Sequence, residues 1–134
     1  MIQFEVLGEP KALKRHRMGK GFNYDPSAND KSDFLWQVKK NAPPSPLDQP
    51  IHLKITFSFP RPKSHYGTGK NSTVLKATAP IYHTARPDID NLIKFVCDAL
   101  NTVYWKDESC ICLTEALKVY TDGTPKTEVE ILSL

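Results

Sequence analysis

Two carboxylates and a lysine lie close together where a helix is predicted to begin. Asp88 and Asp90 are separated by one residue, and Lys94 follows four residues after Asp90. A second acidic pair, Asp107 and Glu108, comes about a turn after the predicted end of that helix. Magnesium prefers a few carboxylates together with water and phosphate oxygen. Such a set of side chains can hold divalent metal and act on a phosphodiester, with the lysine stabilising the developing negative charge.

The helix that carries these residues is predicted from residue 89 to residue 100. Its apolar residues recur at helical spacing and form one face: Ile89, Leu92, Ile93, Val96 and Leu100. Residues two apart on a helix are rotated by about 200°. Asp88 and Asp90 can therefore converge only if Asp88 belongs to the chain that enters the helix, which Pro87 favours. Lys94 lies one turn after Asp90 and on its face.

The same residues also have a simpler structural interpretation. Asp88 would cap the helix, and Asp90 would pair with Lys94 on the surface. Asp107-Glu108 would then be a polar turn. An Asp-X-Asp pattern also occurs in sugar-nucleotide transferases, where it holds a metal-bound diphosphate. The chain is short and lacks an evident nucleotide-binding half, which disfavours the transferase.

The composition is that of one soluble globular domain, residues 1–134. Hydrophobic residues make up 40% and charged residues 25%, and the chain is long enough to bury a core. There is no apolar run of about 18 residues and no signal-peptide pattern at the start. Three cysteines make an odd count. We therefore expect a cytoplasmic protein with reduced thiols and no membrane association, and Cys110 and Cys112 give only a weak zinc pattern.

Charge is divided unevenly along the chain. Residues 1–87 carry 14 Lys/Arg against 6 Asp/Glu, whereas residues 88–134 carry 4 against 9. This asymmetry suits a protein that binds a polyanion on one surface and cations on another. Residues 11–20 are predicted to form a basic loop, either solvated or in contact with phosphates. Its candidate DNA-binding residues are Lys11, Lys14, Arg15, Arg17 and Lys20.

The remaining elements follow from hydrophobic periodicity and from Pro and Gly positions. We predict strands at 2–7, 51–59, 110–120 and 127–134, and no regular element at 60–85. A helix is predicted at 28–42, with an apolar face that Trp36 would extend. Ile111, Leu113, Leu117 and Val119 are expected on one buried face. Asp122-Gly123 is expected to close a hairpin of the last two strands. The expected class is α+β, with a mixed, mainly antiparallel sheet of about four strands and two main helices.

The motif around Asp88 resembles the RusA family of Holliday-junction resolvases, which are homodimeric endodeoxyribonucleases. The match runs from Arg86 to Lys94 and continues through Asp98-Ala99-Leu100. It extends over Tyr104-Trp105-Lys106-Asp107-Glu108-Ser109 and ends at Lys118. Gly8-Glu9-Pro10-Lys11, Tyr24 and the 51–59 strand resemble the family more loosely. The resemblance thus covers most of the chain.

The resemblance implies a set of catalytic residues. Asp88 and Asp90 match the first two catalytic aspartates of the family, and Lys94 matches its lysine. The third family aspartate is the second residue of an Asp-Asp pair, and Glu108 stands at that position here. Adjacent residues of an extended chain point in opposite directions, so either Asp107 or Glu108 is expected to be the third metal ligand.

The function that the resemblance implies is the resolution of Holliday junctions by paired symmetric nicks, in DNA recombination and repair. The expected cofactor is Mg²⁺, with Mn²⁺ as a substitute, and the expected partners are a four-way DNA junction and a second copy of the chain. The alternative is a junction-binding protein of the same fold that the change at Glu108 has impaired.

Several neighbours of the motif have two interpretations each. Asn91 could orient Asp88 or cap the helix, and His83 could reach the scissile phosphate or be a plain loop residue. Tyr104 and Trp105 are expected in the core or at a dimer contact. Lys118 is expected near the metal site or on the exposed face of the sheet.

Overall fold

The computed structural model describes residues 1–15, 17–19 and 22–134, and it describes side chains at residues 1–15 and 24–134. Its helices are α1 (Ala28–Val38) and α2 (Ile89–Leu100). Its strands are β1 (Ile2–Leu7), β2 (Arg17–Gly19), β3 (Phe22–Tyr24), β4 (Ile51–Pro60), β5 (Ile111–Thr121) and β6 (Lys126–Ser133). The α+β class with a four-stranded sheet and two main helices is confirmed.

The main sheet has the strand order β1-β6-β4-β5. β6 is antiparallel to both β1 and β4, and β5 is parallel to β4. The predicted hairpin of the last two strands is therefore wrong, because β5 and β6 lie on opposite sides of β4. Parallel pairing needs a crossover, and α2 supplies it between β4 and β5. The predicted turn at Asp122-Gly123 does connect β5 to β6, and Asp122 contacts Arg61 and Tyr66 there.

The core lies between one face of the sheet and the two helices. The alternating apolar residues of β4 are all buried: Ile51, Leu53, Ile55, Phe57 and Phe59. Phe34 of α1 meets Phe95 of α2 edge to face, at 5.7 Å between ring centroids. Tyr104 and Trp105 are fully buried, so the core interpretation of this pair is confirmed. Burying each large apolar side chain, rather than leaving it exposed, contributes about 1.5–3 kcal/mol to the free energy of folding.

The inward face of β5 differs from the prediction because of a shift in register. Ile51 pairs with Ile111, but His52 pairs with Leu113, so one residue of β5 is bulged out. Beyond the bulge, Ala116 aligns with the buried face of β4 and packs against the core. Leu113 and Leu117 project from the opposite face and are each 43% exposed.

Three further predictions are corrected near the amino-terminal half. α1 ends at Val38 and continues only as the 3-10 turn Lys39–Asn41, rather than running to residue 42. Trp36, expected to extend the apolar face of α1, is 79% exposed. The basic segment is not wholly a loop, because residues 17–19 form β2 and pair with β3.

The segment between β4 and α2 contains no helix or strand of its own, as predicted, only the 3-10 turns Lys63–His65 and Gly69–Asn71. No helix among the described residues is long and apolar enough to cross a membrane.

Candidate active site along helix α2

Asp88 occupies the N-cap position of α2, in extended backbone conformation (φ −70°, ψ 146°). Its carbonyl oxygen accepts a hydrogen bond from the Leu92 amide at 3.2 Å. Its carboxylate makes no capping hydrogen bond to a described backbone amide. The capping interpretation is thus correct for the position but not for the side chain. The carboxylate stays available for a ligand, at the end of the helix where the dipole favours negative charge.

Lys118 of β5 holds the chain that enters α2. Its ammonium donates to the carbonyl of Ala85 at 2.7 Å and to that of Pro87 at 2.6 Å. These charge-assisted bonds fix the backbone on both sides of Arg86. Lys118 therefore lies on the Asp88 side of the molecule and is bound to backbone, one of the two places that the sequence left open.

Asp90 and Lys94 form an ion pair one helical turn apart. The Asp90 Oδ2 to Lys94 Nζ distance is 3.9 Å, and both side chains are more than 60% exposed. A pair this exposed contributes between about 0 and 1 kcal/mol to stability. Little free energy therefore opposes the rotation of either side chain toward a bound ligand.

The first part of the predicted basic loop is attached to this end of α2. The Leu13 amide donates to the carbonyl of Asn91 at 3.0 Å. The next residue, Lys14, donates its amide to Ser27 Oγ at 2.9 Å. Lys11, Lys14 and Arg15 are exposed beside the first turn of α2. Of the other two predicted phosphate contacts, Arg17 is described only by its backbone in β2, and Lys20 lies outside the described residues.

The carboxylate of Asp107 is hydrogen-bonded within the turn that precedes β5. It is the N-cap of the 3-10 turn Glu108–Cys110, and its Oδ2 accepts from the Ser109 amide at 3.1 Å. Hydrogen bonds from Ser109 lower the pKa of Asp107. This carboxylate is thus ionised and oriented along the turn.

Glu108 turns instead toward Asp98, on the last turns of α2. Although much of the Glu108 side chain is exposed, partial desolvation raises its pKa, and the hydrogen bond and negative charge of Asp98 raise it further. Lys31 of α1 approaches Asp98 at 3.7 Å. Two carboxyl groups held this close repel each other when both are ionised, and a bound cation would relieve that repulsion.

Two acidic groups lie at opposite ends of α2. Asp88 and Asp90 form the first, at its start, and Asp98 and Glu108 form the second, at its end. Asp98 comes ten residues after Asp88, which is about 15 Å along a helix that rises 1.5 Å per residue. β5 spans a similar distance, because its start adjoins Glu108 and Lys118 reaches the Asp88 end. Among the described residues, no group of three or more His, Cys, Asp or Glu side chains is placed to hold a metal. Within one chain, the two acidic groups are therefore separated by most of the length of α2.

Comparison with known proteins identifies the family of this chain. A family model described as endodeoxyribonuclease RusA matches residues 5–132. The chain belongs to the RusA family. It is 32% identical to the uncharacterized protein YqaN of Bacillus subtilis (strain 168), over 97% of this chain and 94% of that protein. It is 28% identical to the crossover junction endodeoxyribonuclease rusA of Lactococcus phage r1t, over 92% of this chain and 86% of that protein.

The fold adds one residue, Asp98, to the candidate set drawn from the RusA resemblance. Asp98 shares the helix face of Asp90 and Lys94 at steps of four residues, a regular spacing visible in the sequence. His83 is nine-tenths buried, and its ring stacks on Phe59 at 3.9 Å. Burial and the nearby charge of Lys118 lower the pKa of His83. His83 is therefore a neutral packing residue at neutral pH, and no periodic pattern indicated this.

Proposed function

We propose that this RusA-family chain is a Mg²⁺-dependent, structure-selective endodeoxyribonuclease that resolves four-way DNA junctions by paired symmetric nicks. Mn²⁺ would substitute for Mg²⁺, and the cellular role would be DNA recombination and repair. The observation that carries the proposal is the carboxylate of Asp88, which makes no hydrogen bond or ion pair to a described residue. It lies beside Asp90 and next to the basic residues Lys11, Lys14 and Arg15, in a chain matched by the family over residues 5–132.

The residues at the amino-terminal end of α2 fit a magnesium ion. Mg²⁺ is commonly held by one or two carboxylates, with water and a substrate phosphate completing the shell, and Asp88 and Asp90 supply two. The ion would activate the attacking water and stabilise the leaving oxygen. Lys94 would stabilise negative charge on the phosphoryl oxygens. Lys11, Lys14 and Arg15 would hold flanking phosphates, giving an affinity that falls with salt.

Of the two candidates for a third ligand, the geometry favours Glu108. Asp107 already accepts a hydrogen bond within its own turn, and the pKa of Glu108 is raised beside Asp98. Metal binding by Asp107 would therefore compete with its hydrogen bond in the turn, whereas a cation between Glu108 and Asp98 would relieve the repulsion of these two carboxylates.

A symmetric dimer would join the two acidic groups into one metal site. Each group would then be a half-site: Asp88 with Asp90, and Asp98 with Glu108. Asp90, Lys94 and Asp98 recur every four residues, so acidic residues flank a central lysine on one face of α2. A two-fold axis passing near Lys94 would align two α2 helices antiparallel. It would bring Asp88 and Asp90 of one copy beside Asp98 and Glu108 of the other, twice over. A four-way junction also has near two-fold symmetry, and this dimer would present two matched sites to it.

A mixing experiment tests the activity and the shared site together. Wild type should nick a synthetic four-way junction symmetrically in Mg²⁺, whereas Asp88→Asn and Glu108→Gln should each bind the junction without cutting it. Co-refolding these two variants should restore nicking, because each mixed dimer regenerates one intact site. Co-refolding Asp88→Asn with Asp90→Asn should not, because both changes affect the same half-site.

Three outcomes separate the possibilities. Restoration in the first mixture alone supports the shared site. Activity of wild type without restoration would place each site within one chain. Tight junction binding by wild type without cleavage in Mg²⁺ or Mn²⁺ would refute the enzymatic proposal and favour the impaired binding protein.

A further inference from the structure

Residues 60–87 form a segment without a single acidic residue. They include five basic residues, Arg61, Lys63, Lys70, Lys76 and Arg86, in a chain where acidic residues are otherwise frequent. Four of these, all but Arg61, have exposed side chains. No ion pair to any of these four occurs among the described residues. The segment is thus an uncompensated cationic surface that leads directly into Asp88.

Arg61 fixes this segment against the sheet. Its side chain is only 8% exposed, and its Nε lies 2.9 Å from Asp122 Oδ1. Its Nη1 donates to the carbonyl of Pro80 at 2.6 Å, and its guanidinium lies over the Tyr120 ring. Tyr66 donates its hydroxyl to the same Asp122 oxygen at 3.1 Å. Arg61, Tyr66 and Pro80 of the segment are therefore held together beside Asp122, which directly follows β5.

The last part of the segment pairs with the free edge of β5. The Tyr120 amide donates to the carbonyl of Ile81 at 2.9 Å, and the His83 amide donates to the carbonyl of Lys118 at 3.1 Å. Although held in this way, Ile81 and Tyr82 remain 66% and 60% exposed. Lys118 also holds the chain before Asp88. Two exposed apolar side chains are thus fixed beside the part of β5 from which Lys118 holds the chain before Asp88.

We propose that this cationic segment is a junction-reading surface in which the Tyr82 ring stacks on an unstacked base at the branch point. Lys63, Lys70, Lys76 and Arg86 would contact the phosphates on either side. The inference rests on the proposed function. Cations interleaved with an exposed aromatic ring are the pattern that binds unpaired nucleotides. Tyr82 is assigned the stacking because Ile81 has no ring face to offer. A continuous duplex keeps its bases stacked, whereas a four-way junction can open at its centre.

Binding measurements in the cleavage-deficient Asp90→Asn protein test this surface. Tyr82→Ala should weaken binding to a four-way junction by about tenfold, the order expected for one lost base–aromatic stack. Binding to a linear duplex of equal length should change less than about twofold, since phosphate contacts remain. Tyr82→Phe should bind as the parent does. Ile81→Ala and Val74→Ala, at two other exposed apolar positions of the segment, should leave both affinities unchanged.

A fluorescent 2-aminopurine at the branch point gives an independent readout. The emission of 2-aminopurine should rise when it unstacks from its neighbouring bases. In the complex with the parent protein, the Tyr82 ring should quench this emission. In the complex with Tyr82→Ala, the quenching should be lost. If Tyr82→Ala keeps the junction preference of the parent, or weakens both DNAs equally, the assignment of Tyr82 is wrong. If the parent itself shows no preference for the junction, the failure lies in the proposed function.

Discussion

Replacing Lys118 by methionine should uncouple Asp88 from the sheet. Methionine keeps the length and the apolar stem of the side chain but removes the donors to Ala85 and Pro87. Hydrogen bonds to a charged group contribute about 1.5–3 kcal/mol each. Hydrogen bonds from water can compensate for much of this loss, because one of the two bonds is exposed and the other is only partly buried. We therefore expect a loss of about 1–2 kcal/mol in the free energy of unfolding.

The effect on cleavage should be much larger than the effect on stability. A displacement of about 1 Å at a catalytic group can cost about 100-fold in rate, and the freed backbone carries Asp88. Binding to the junction should change little, because the Lys118 ammonium is already engaged by two carbonyls. Single-turnover cleavage, urea denaturation and junction affinity would be measured on the same variant.

A matched control and a local probe make this test specific. Lys126→Met removes a strand lysine that lies two strands away from β5 and contacts Glu5 at 3.1 Å, and it should leave cleavage unchanged. The pKa of His83 should rise in Lys118→Met, since the Lys118 charge helps to lower it, but burial should keep it below its usual value. Cleavage at the wild-type rate despite the lost stability would refute the positioning role. A proportional loss of DNA affinity would instead make Lys118 a phosphate contact.

Three further predictions concern single residues. Because the pKa of His83 is lowered in the folded state, the unfolded state binds more protons, and stability should fall as the pH drops below about 6.5. His83→Phe should reduce that slope in urea unfolding measured from pH 5 to 7.5. Asp98→Asn should lower the pKa of Glu108 and raise the melting temperature of the metal-free protein at pH 7, while abolishing cleavage. Tyr104→Phe should cost about 1–3 kcal/mol in chemical denaturation, because the buried Val38 carbonyl loses its donor.

The elements with strong local signals could be predicted from the sequence. α2 begins at Ile89 and ends at Leu100, as the apolar spacing indicated. The buried face of β5 could not be predicted from the sequence. The bulge opposite Ile51 and His52 reverses which side chains of β5 point inward. The chain turns at Asp122-Gly123 as the local signal indicated, but β4 lies between β5 and β6, and this long-range arrangement is not visible in the turn.

The same distinction applies to the candidate site. The ion pair of Asp90 with Lys94 followed from helix geometry, and Pro87 indicated that Asp88 precedes the helix. The pairing of Glu108 with Asp98 depends on how the chain returns after α2. The role of Lys118 depends on the register of β5 against β4. Spacing along the chain carries no information about either contact, and both require the tertiary fold.

The separation of the half-sites suggests why a split site suits the proposed reaction. Within one chain, Asp88 and Glu108 are held apart by the length of α2, a rigid element that packing against the core prevents from folding back. No side-chain rotation covers about 15 Å. In the proposed dimer, a complete set of carboxylates would exist only after two copies have met. A lone chain could then bind DNA through its basic segments without nicking it, and every complete site would form together with its symmetric counterpart. Paired cuts would follow from assembly itself, without any communication between the two sites.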